Sequence, residues 1–282
     1  MQVGLITDSV GHLPFEGALD LAQSLSLSSV EVATGNWSEA PHADLPELVS
    51  SATARDEFAG KISSRGLTLS ALNANGNSLH PVEGALHDKV VRDTIELANQ
   101  LGVTTVVMMS GLPGARGDST PNWVTTSWPP ETLRVLDYQW TEVAIPYWKQ
   151  LAAFARDRGV RLAIEACGGQ LVYNVTTMLR LIDAVGDDVV GANLDPSHLM
   201  WMGADIPTVI QTLGRATTTS TPRTSKCNDR KRTETACSTP CPSLRPSSAP
   251  GTTSPSAWDT PPAPPSGPTS FTPLGVSATT AL

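Results

Sequence analysis

No run of apolar residues in this 282-residue chain approaches the length of a bilayer span. The stretch Met1 to Val10 carries neither a basic start nor a cleavable apolar segment. Both absences predict a soluble, cytoplasmic protein with no membrane partner. Cysteine is scarce. Only Cys167 lies in the front of the chain, and Cys227, Cys237 and Cys241 sit near the end without the paired spacing of a zinc site. They read as incidental thiols, with disulfides or metal binding as the alternative. Excess positive charge is missing as well. The formal net charge is −8, which argues against a nucleic-acid backbone as the main partner. No glycine-rich loop ends in Lys-Ser/Thr; the run Gly111-Leu112-Pro113-Gly114 resembles a phosphate cradle but lacks that ending.

Two kinds of sequence are present. Up to Gly214 short apolar runs alternate with amphipathic stretches, whereas from Ala216 to Leu282 the chain is Thr, Ser and Pro with scattered Arg and little hydrophobic period. The expected division is a folded domain over 1–215 and a disordered tail over 216–282. In the front, β-rich runs recur at Val3 to Ile6, Ser29 to Ala33, Leu67 to Leu72, Val103 to Met108, Val160 to Glu165 and Val189 to Asp195, each followed by a helical pattern. Such alternation predicts parallel strands with crossover helices. Val91, Ile95 and Ala98 share one helical face that Gly102 closes; Tyr147, Leu151, Phe154 and Ala155 share another, ended by Gly159. Asn174 and Asp205 read as N-caps, the latter with Pro207 just inside its helix. Gly111 to Pro130, rich in Gly, Pro, Ser and Thr, is too long for a connector and reads as a flap over a site.

Six strand-helix units fit a complete doubly wound sheet or an incomplete (β/α)8 barrel. The first would carry a glycine-rich phosphate loop after an early strand, and none is present. The barrel puts its chemistry at the C-terminal ends of strands, where the polar residues collect: Thr7 and Asp8, Glu31, Asn73, Ser110, Glu165, and Asp195 with His198. The expected fold is therefore an α/β, TIM-barrel type, incomplete at about six units.

Glu165 ends one strand, Asp195 ends the next, and His198 follows in Asp-Pro-Ser-His. Two carboxylates and an imidazole at one barrel mouth suit a divalent ion, Mn2+, Mg2+, Co2+ or Zn2+, in an open site. The competing reading makes each acid a helix cap. His80, in the loop after the third strand, either hydrogen-bonds a polyol or is a solvated loop residue. His12, His42 and His87 read as surface residues. Trp123 and Trp201 either form an apolar wall for a sugar face or pack in the ordinary way.

The stretches "ALNANGNSLHP" from Ala71, "VVMMSGLPG" from Val106, "LAIEACGGQLVYN" from Leu162 and "GANLDPSHLMWMGAD" from Gly191 resemble the sugar phosphate isomerase/epimerase family, the xylose isomerase-like TIM barrels. The resemblance runs to the short helix after Asp205. It implies a sugar or polyol substrate and a divalent metal held by a Glu on strand five and an Asp on strand six, here Glu165 and Asp195, with a His and a Glu from strands seven and eight. It also implies Glu165 as a catalytic proton-transfer group, His198 as a catalytic donor to substrate oxygen, and His80, Asn73 and Ser110 among the substrate-binding residues. Cys167 and Gly168 depart from the family pattern, in which many members carry His-Pro. A homo-oligomer is allowed.

The tail departs further. If each codon from Thr218 is reread one base earlier, Thr219-Ser220-Thr221-Pro222-Arg223-Thr224 permits His-Val-His-Ala-Lys-Asp, which resembles strand seven of the family. Ser277-Ala278-Thr279-Thr280-Ala281 likewise permits Val-Gly-Tyr-Asp-Gly, which resembles the approach to strand eight. The expectation is a frame-shifted translation of the last barrel units, with a genuine low-complexity extension as the alternative. Three functional readings follow: an isomerase or epimerase impaired in this chain, a metal-dependent lyase such as an inosose dehydratase, or a non-catalytic product. An abasic-site endonuclease shares the fold but requires a His-rich three-metal cluster and a basic face, which the front lacks.

Overall fold

The computed structural model describes residues 3–214; the tail read over 216–282 lies outside the described residues. All six strands form where the β-rich runs stand: β1 (Gly4–Ile6), β2 (Ser29–Ala33), β3 (Thr68–Asn73), β4 (Thr105–Met109), β5 (Arg161–Glu165) and β6 (Val190–Asn193). They make one parallel sheet in the order β1-β2-β3-β4-β5-β6. A doubly wound sheet must reverse its strand order at a switch point, and this one never does. Each strand lies beside its sequence neighbour, with the chain returning through helices, as successive staves of a barrel do. Among the described residues neither β1 nor β6 pairs with a strand on its other edge.

Strand periodicity separates the two faces. Val30, Val32, Leu72, Val106, Met108, Leu162, Ile164, Val190 and Ala192 belong to the large apolar cluster shared with the helices. The alternate residues Ala71, Val107 and Ala163 form a separate small cluster on the opposite, inner face. Two positions further along these inner rows stand Asn73, Met109 and Glu165, with Asn193 paired to Glu165. Glu31 joins this inner set because a register shift between Val30 and Glu31 pairs it with Ala71. Ala71, Val107 and Ala163 thus fill the middle of the inner face beside Glu31, and Asn73, Glu165 and Asn193 stand with Met109 at its C-terminal end.

The helices are α1 (Phe15–Ser24), α2 (Leu45–Ser50), α3 (Ala52–Ser63), α4 (Gly84–Leu101), α5 (Glu131–Tyr138), α6 (Ile145–Arg156), α7 (Val175–Val185), α8 (Pro196–Met200) and α9 (Ile206–Leu213). In α4 the predicted face of Val91, Ile95 and Ala98 is buried, and Gly102 closes the helix in the left-handed region at φ 70°. In α6 Leu151 and Ala155 are buried, while Tyr147 and Phe154 pack partly exposed against the same core. Asp205 caps α9 by accepting the Thr208 N–H. Asn174 caps α7 more fully: it accepts the Thr177 N–H while the Thr177 hydroxyl accepts the Asn174 N–H. Asn174→Ala removes that exchange and should lower stability by about 1 kcal/mol in a urea titration, since a lost cap typically has that effect.

One expectation needs correction. β6 stops at Asn193 instead of running through Asp195, because Asp195 caps α8 and the ring of Pro196 supplies no N–H to a ladder. The stretch after the flap region is helical, continuing from α5 through one π turn (Gln139–Ala144) into α6. Gln139, fully buried in that turn, donates to Pro113 O at 2.8 Å and Asn122 O at 2.7 Å. One side chain therefore ties both arms of the segment read as a flap.

Candidate metal centre

Glu165 ends β5 on the inner face, its side chain 13% exposed. Its two oxygens are held differently. Oε2 accepts the side-chain amides of Asn75, at 3.3 Å, and Asn193, at 3.4 Å. Oε1 lies 3.1 Å from His198 Nε2. Asp195 also divides its oxygens: Oδ1 accepts the N–H and hydroxyl of Ser197, and Oδ2 faces His198 Nε2 at 3.7 Å. The cap reading and the ligand reading of Asp195 are thus compatible, one on each oxygen. His198 follows Asp195 by three residues on α8, so helical spacing turns both toward the same point.

One donor atom from each of Glu165, Asp195 and His198 lies within 4.8 Å of the other two. Two carboxylate oxygens and one imidazole nitrogen at that spacing fit a borderline divalent cation. The residues alone point to His198 converging with the two acids, and the family resemblance gives it a substrate role; the structure brings the three together. The same neighbours favour a protonated ring. The His198 imidazole is raised above its ordinary range, first by its hydrogen bond to Glu165, against an opposing effect of burial, with the charges of Glu165 and Asp195 adding. A cation drawn to the same acids competes with that proton. Binding of Mn2+ should weaken as the pH drops through the raised His198 range, and calorimetry in buffers of different ionisation enthalpy should register proton release on binding.

Glu31 is buried at 7% exposure, and its Oε1 accepts Asn73 Nδ2–H at 2.7 Å. Burial pushes its carboxyl up to about 7; the Asn73 hydrogen bond opposes the rise and the charge of Glu165 adds to it. Cys167, next to the site, is pushed up to about 11 by burial and by the charges of Glu165 and Asp195. Near neutral pH the metal-free protein therefore keeps it as a thiol.

The residues read as substrate-binding separate into two groups. Asn73 joins the centre, since its Oδ1 accepts the N–H of Asn75, which holds Glu165. Ser110 is 1% exposed and stitches loops together, accepting the Val172 N–H and donating to Gly111 O. His80 uses Nδ1 to accept the N–H groups of Val82 and Glu83 at the approach to α4, and none of its hydrogen bonds reaches the centre. The Gly111–Gly114 run is buried and packed, with Asn77 bonded to both the N–H and carbonyl of Leu112. Two histidines read as surface residues are not so. His42 is 7% exposed, bonded to Leu13 O and packed on Phe15, and His87 is half-buried with Nδ1 accepting the Asn77 N–H.

An aromatic rim adjoins the centre. A Cβ at Gly168 would lie 2.5 Å from the Trp201 ring and 3.4 Å from that of Trp123, which meets Tyr173 edge-on. The glycine at 168, where the family pattern differs, is what the approach of Trp201 requires. Asn75 and Asn193, the two amides on Glu165, escaped sequence reasoning. Their only sequence signal is the inner-face alternation of Asn193 and the local repeat Asn73-Ala74-Asn75.

Residues 19–221 match the family described as xylose isomerase-like TIM barrel. The chain belongs to that family. It is 50% identical over 221 residues to the protein YfiH of Bacillus subtilis (strain 168), covering 77% of this chain and 70% of that one. Among solved structures, a D-psicose 3-epimerase crystallised with D-fructose superposes with a TM-score of 0.54 at 15% identity, over 77% of this chain and 71% of its own. The IOLI protein with a bound zinc atom gives 0.55 at 19% identity, over 77% and 70%. At those identities the likeness is one of fold. Among the described residues no helix is long and apolar enough to cross a membrane.

Proposed function

We propose that this chain derives from a metal-dependent, cytoplasmic sugar isomerase or epimerase acting by proton transfer through an enediolate. The observation that carries the reading is the convergence of Glu165, Asp195 and His198 within 4.8 Å at the C-terminal end of the strands. Family membership and the epimerase and zinc-bound neighbours support it.

A bound divalent cation would supply Lewis acidity at a substrate carbonyl and its neighbouring hydroxyl. Glu165 and Asp195 would hold it, with His198 within reach. Glu165 is also the group placed to take or return a proton at the sugar carbon, because the two amides on Oε2 leave Oε1 turned toward His198. His198, flanked by two carboxylates, is held ready to donate to a substrate oxygen. Trp201, largely exposed beside Gly168, would offer an apolar face to a sugar ring. His80 and Ser110 keep, in this reading, at most a role in shaping the loops around the substrate.

We further infer that residues 216–282 are a frame-shifted translation of the last two barrel units, so that 1–215 is a truncated domain. The ligands that the resemblance assigns to strands seven and eight would then be missing from the translated chain, and its metal affinity weak. The experiment is to sequence the gene across codons 214–220 and assay two proteins, as translated and with the frame restored, on a panel of ketoses with Mn2+, identifying products by chromatography. The restored protein should turn over a ketose and the translated one should stay near background. Robust turnover by the chain as translated would refute the impairment. An inactive, well-folded restored protein would refute the isomerase reading.

A further inference from the structure

Four polar residues connect the second strand to the carboxylate at the centre. Glu31 Oε1 accepts Asn73 Nδ2–H, Asn73 Oδ1 accepts the backbone N–H of Asn75 at 2.9 Å, and Asn75 Nδ2–H reaches Glu165 Oε2. Each link constrains the next. An asparagine amide has a donating end and an accepting end, so an acceptor at Glu31 turns the carbonyl of Asn73 toward the loop. That carbonyl holds the backbone of Asn75 in place, and Asn75 aims its own amide at Glu165. Asn193 holds the same Oε2 from β6 without involving Glu31. One of the two amides on Glu165 is therefore tied to β2, and the other is not.

We propose that Glu31 is a positioning residue that, through Asn73 and Asn75, fixes which oxygen of Glu165 is turned toward the cation and His198. The first links stand on hydrogen bonds alone; the last rests on the metal reading of Glu165 given above. The chain starts at a carboxyl shielded from water, where hydrogen bonds align their partners more strongly than at a surface. If Glu31 merely filled space on the inner face, an apolar side chain of the same length would serve equally well.

The test uses the full chain, 15N-labelled and treated with chelator, and compares the side-chain amide resonances of wild type, Glu31→Gln, Glu31→Met and Glu31→Ala. Met fills the space without an acceptor, Ala is a second and independent removal, and Gln restores the acceptor. Both removals should shift the Asn75 amide signals and leave those of Asn193 in place, while Gln should shift neither. In a Co2+ titration the removals should weaken binding about tenfold and Gln should stay close to wild type, since loss of a group that orients a metal ligand has an effect of that order. Asn75 signals that stay put in both removals would overturn the proposal, as would Asn193 signals that move equally or a Gln variant as impaired as Met. Absence of detectable Co2+ binding in wild type would fit the missing strand-seven and strand-eight ligands, and the metal-free amide spectra then decide whether Glu31 positions Asn75.

Discussion

Replacing Glu31 by Gln is expected to stabilise the metal-free protein by about 3 kcal/mol near pH 8 and to change little near pH 4. The carboxyl is buried on the inner face with Glu165 close by, and its pKa is raised from 4.5 to about 7. The folded state therefore holds a proton that the unfolded chain releases at lower pH. Between those two values the native state binds more protons than the unfolded one, so stability falls as pH rises, and above the folded value the whole penalty is present. Gln keeps the acceptor for Asn73 and has no proton to lose. Urea titrations of both proteins across that range, with chelator present, should diverge as the pH rises. A difference that does not depend on pH would show that Glu31 does not titrate in this window.

Glu165→Ala is expected to abolish cation binding, a larger effect than the roughly 10–100-fold that follows loss of a residue merely orienting a ligand. The variant removes a ligand oxygen, and with it the shared acceptor of Asn75, Asn193 and His198. It also removes the first cause of the raised His198 range, so the imidazole should return toward its ordinary value, followed by its ring proton shifts across a pH titration. Glu31 should respond too, because the charge of Glu165 contributes to its raised value. Glu165→Gln keeps a neutral acceptor for His198 and separates charge from geometry: it should lose the cation yet retain more of the His198 contact than Ala does. Undiminished Co2+ affinity in Glu165→Ala would remove Glu165 from the metal centre.

Much of the fold was readable because its signals are local. Apolar runs of strand length, N-caps at Asn174 and Asp205, and the terminating Gly102 act within a few residues of themselves, and the structure places each element close to where those signals stand. α5 escaped the sequence reading: it is short, none of its residues is fully buried, and Leu136 packs on the core only as a partly buried side chain. The end of β6 was misplaced by two residues, because an Asp that extends a strand and an Asp that caps the following helix look alike until the backbone is built. At the site, Glu165 and Asp195 were legible as acids at neighbouring strand ends. Asn75 and Asn193 were not, since their role depends on which oxygen of a residue on another strand they reach.

By itself the amino-acid order determined six strand-helix units, the polar residues at their ends and the family to which the pattern belongs, all carried by periodicity and short motifs. Tertiary structure alone decided that strand order never reverses, that one donor atom from each of Glu165, Asp195 and His198 comes within 4.8 Å of the others, that Asp195 caps with one oxygen and faces the centre with the other, and that Gly168 admits Trp201. It also decided that Glu31, shifted in register at Val30, meets Asn73 and so connects to Glu165. The physical reason is one of range: a cap or a period is set by neighbours along the chain, whereas a hydrogen bond between strands depends on register and on a few ångströms that only the packed sheet sets.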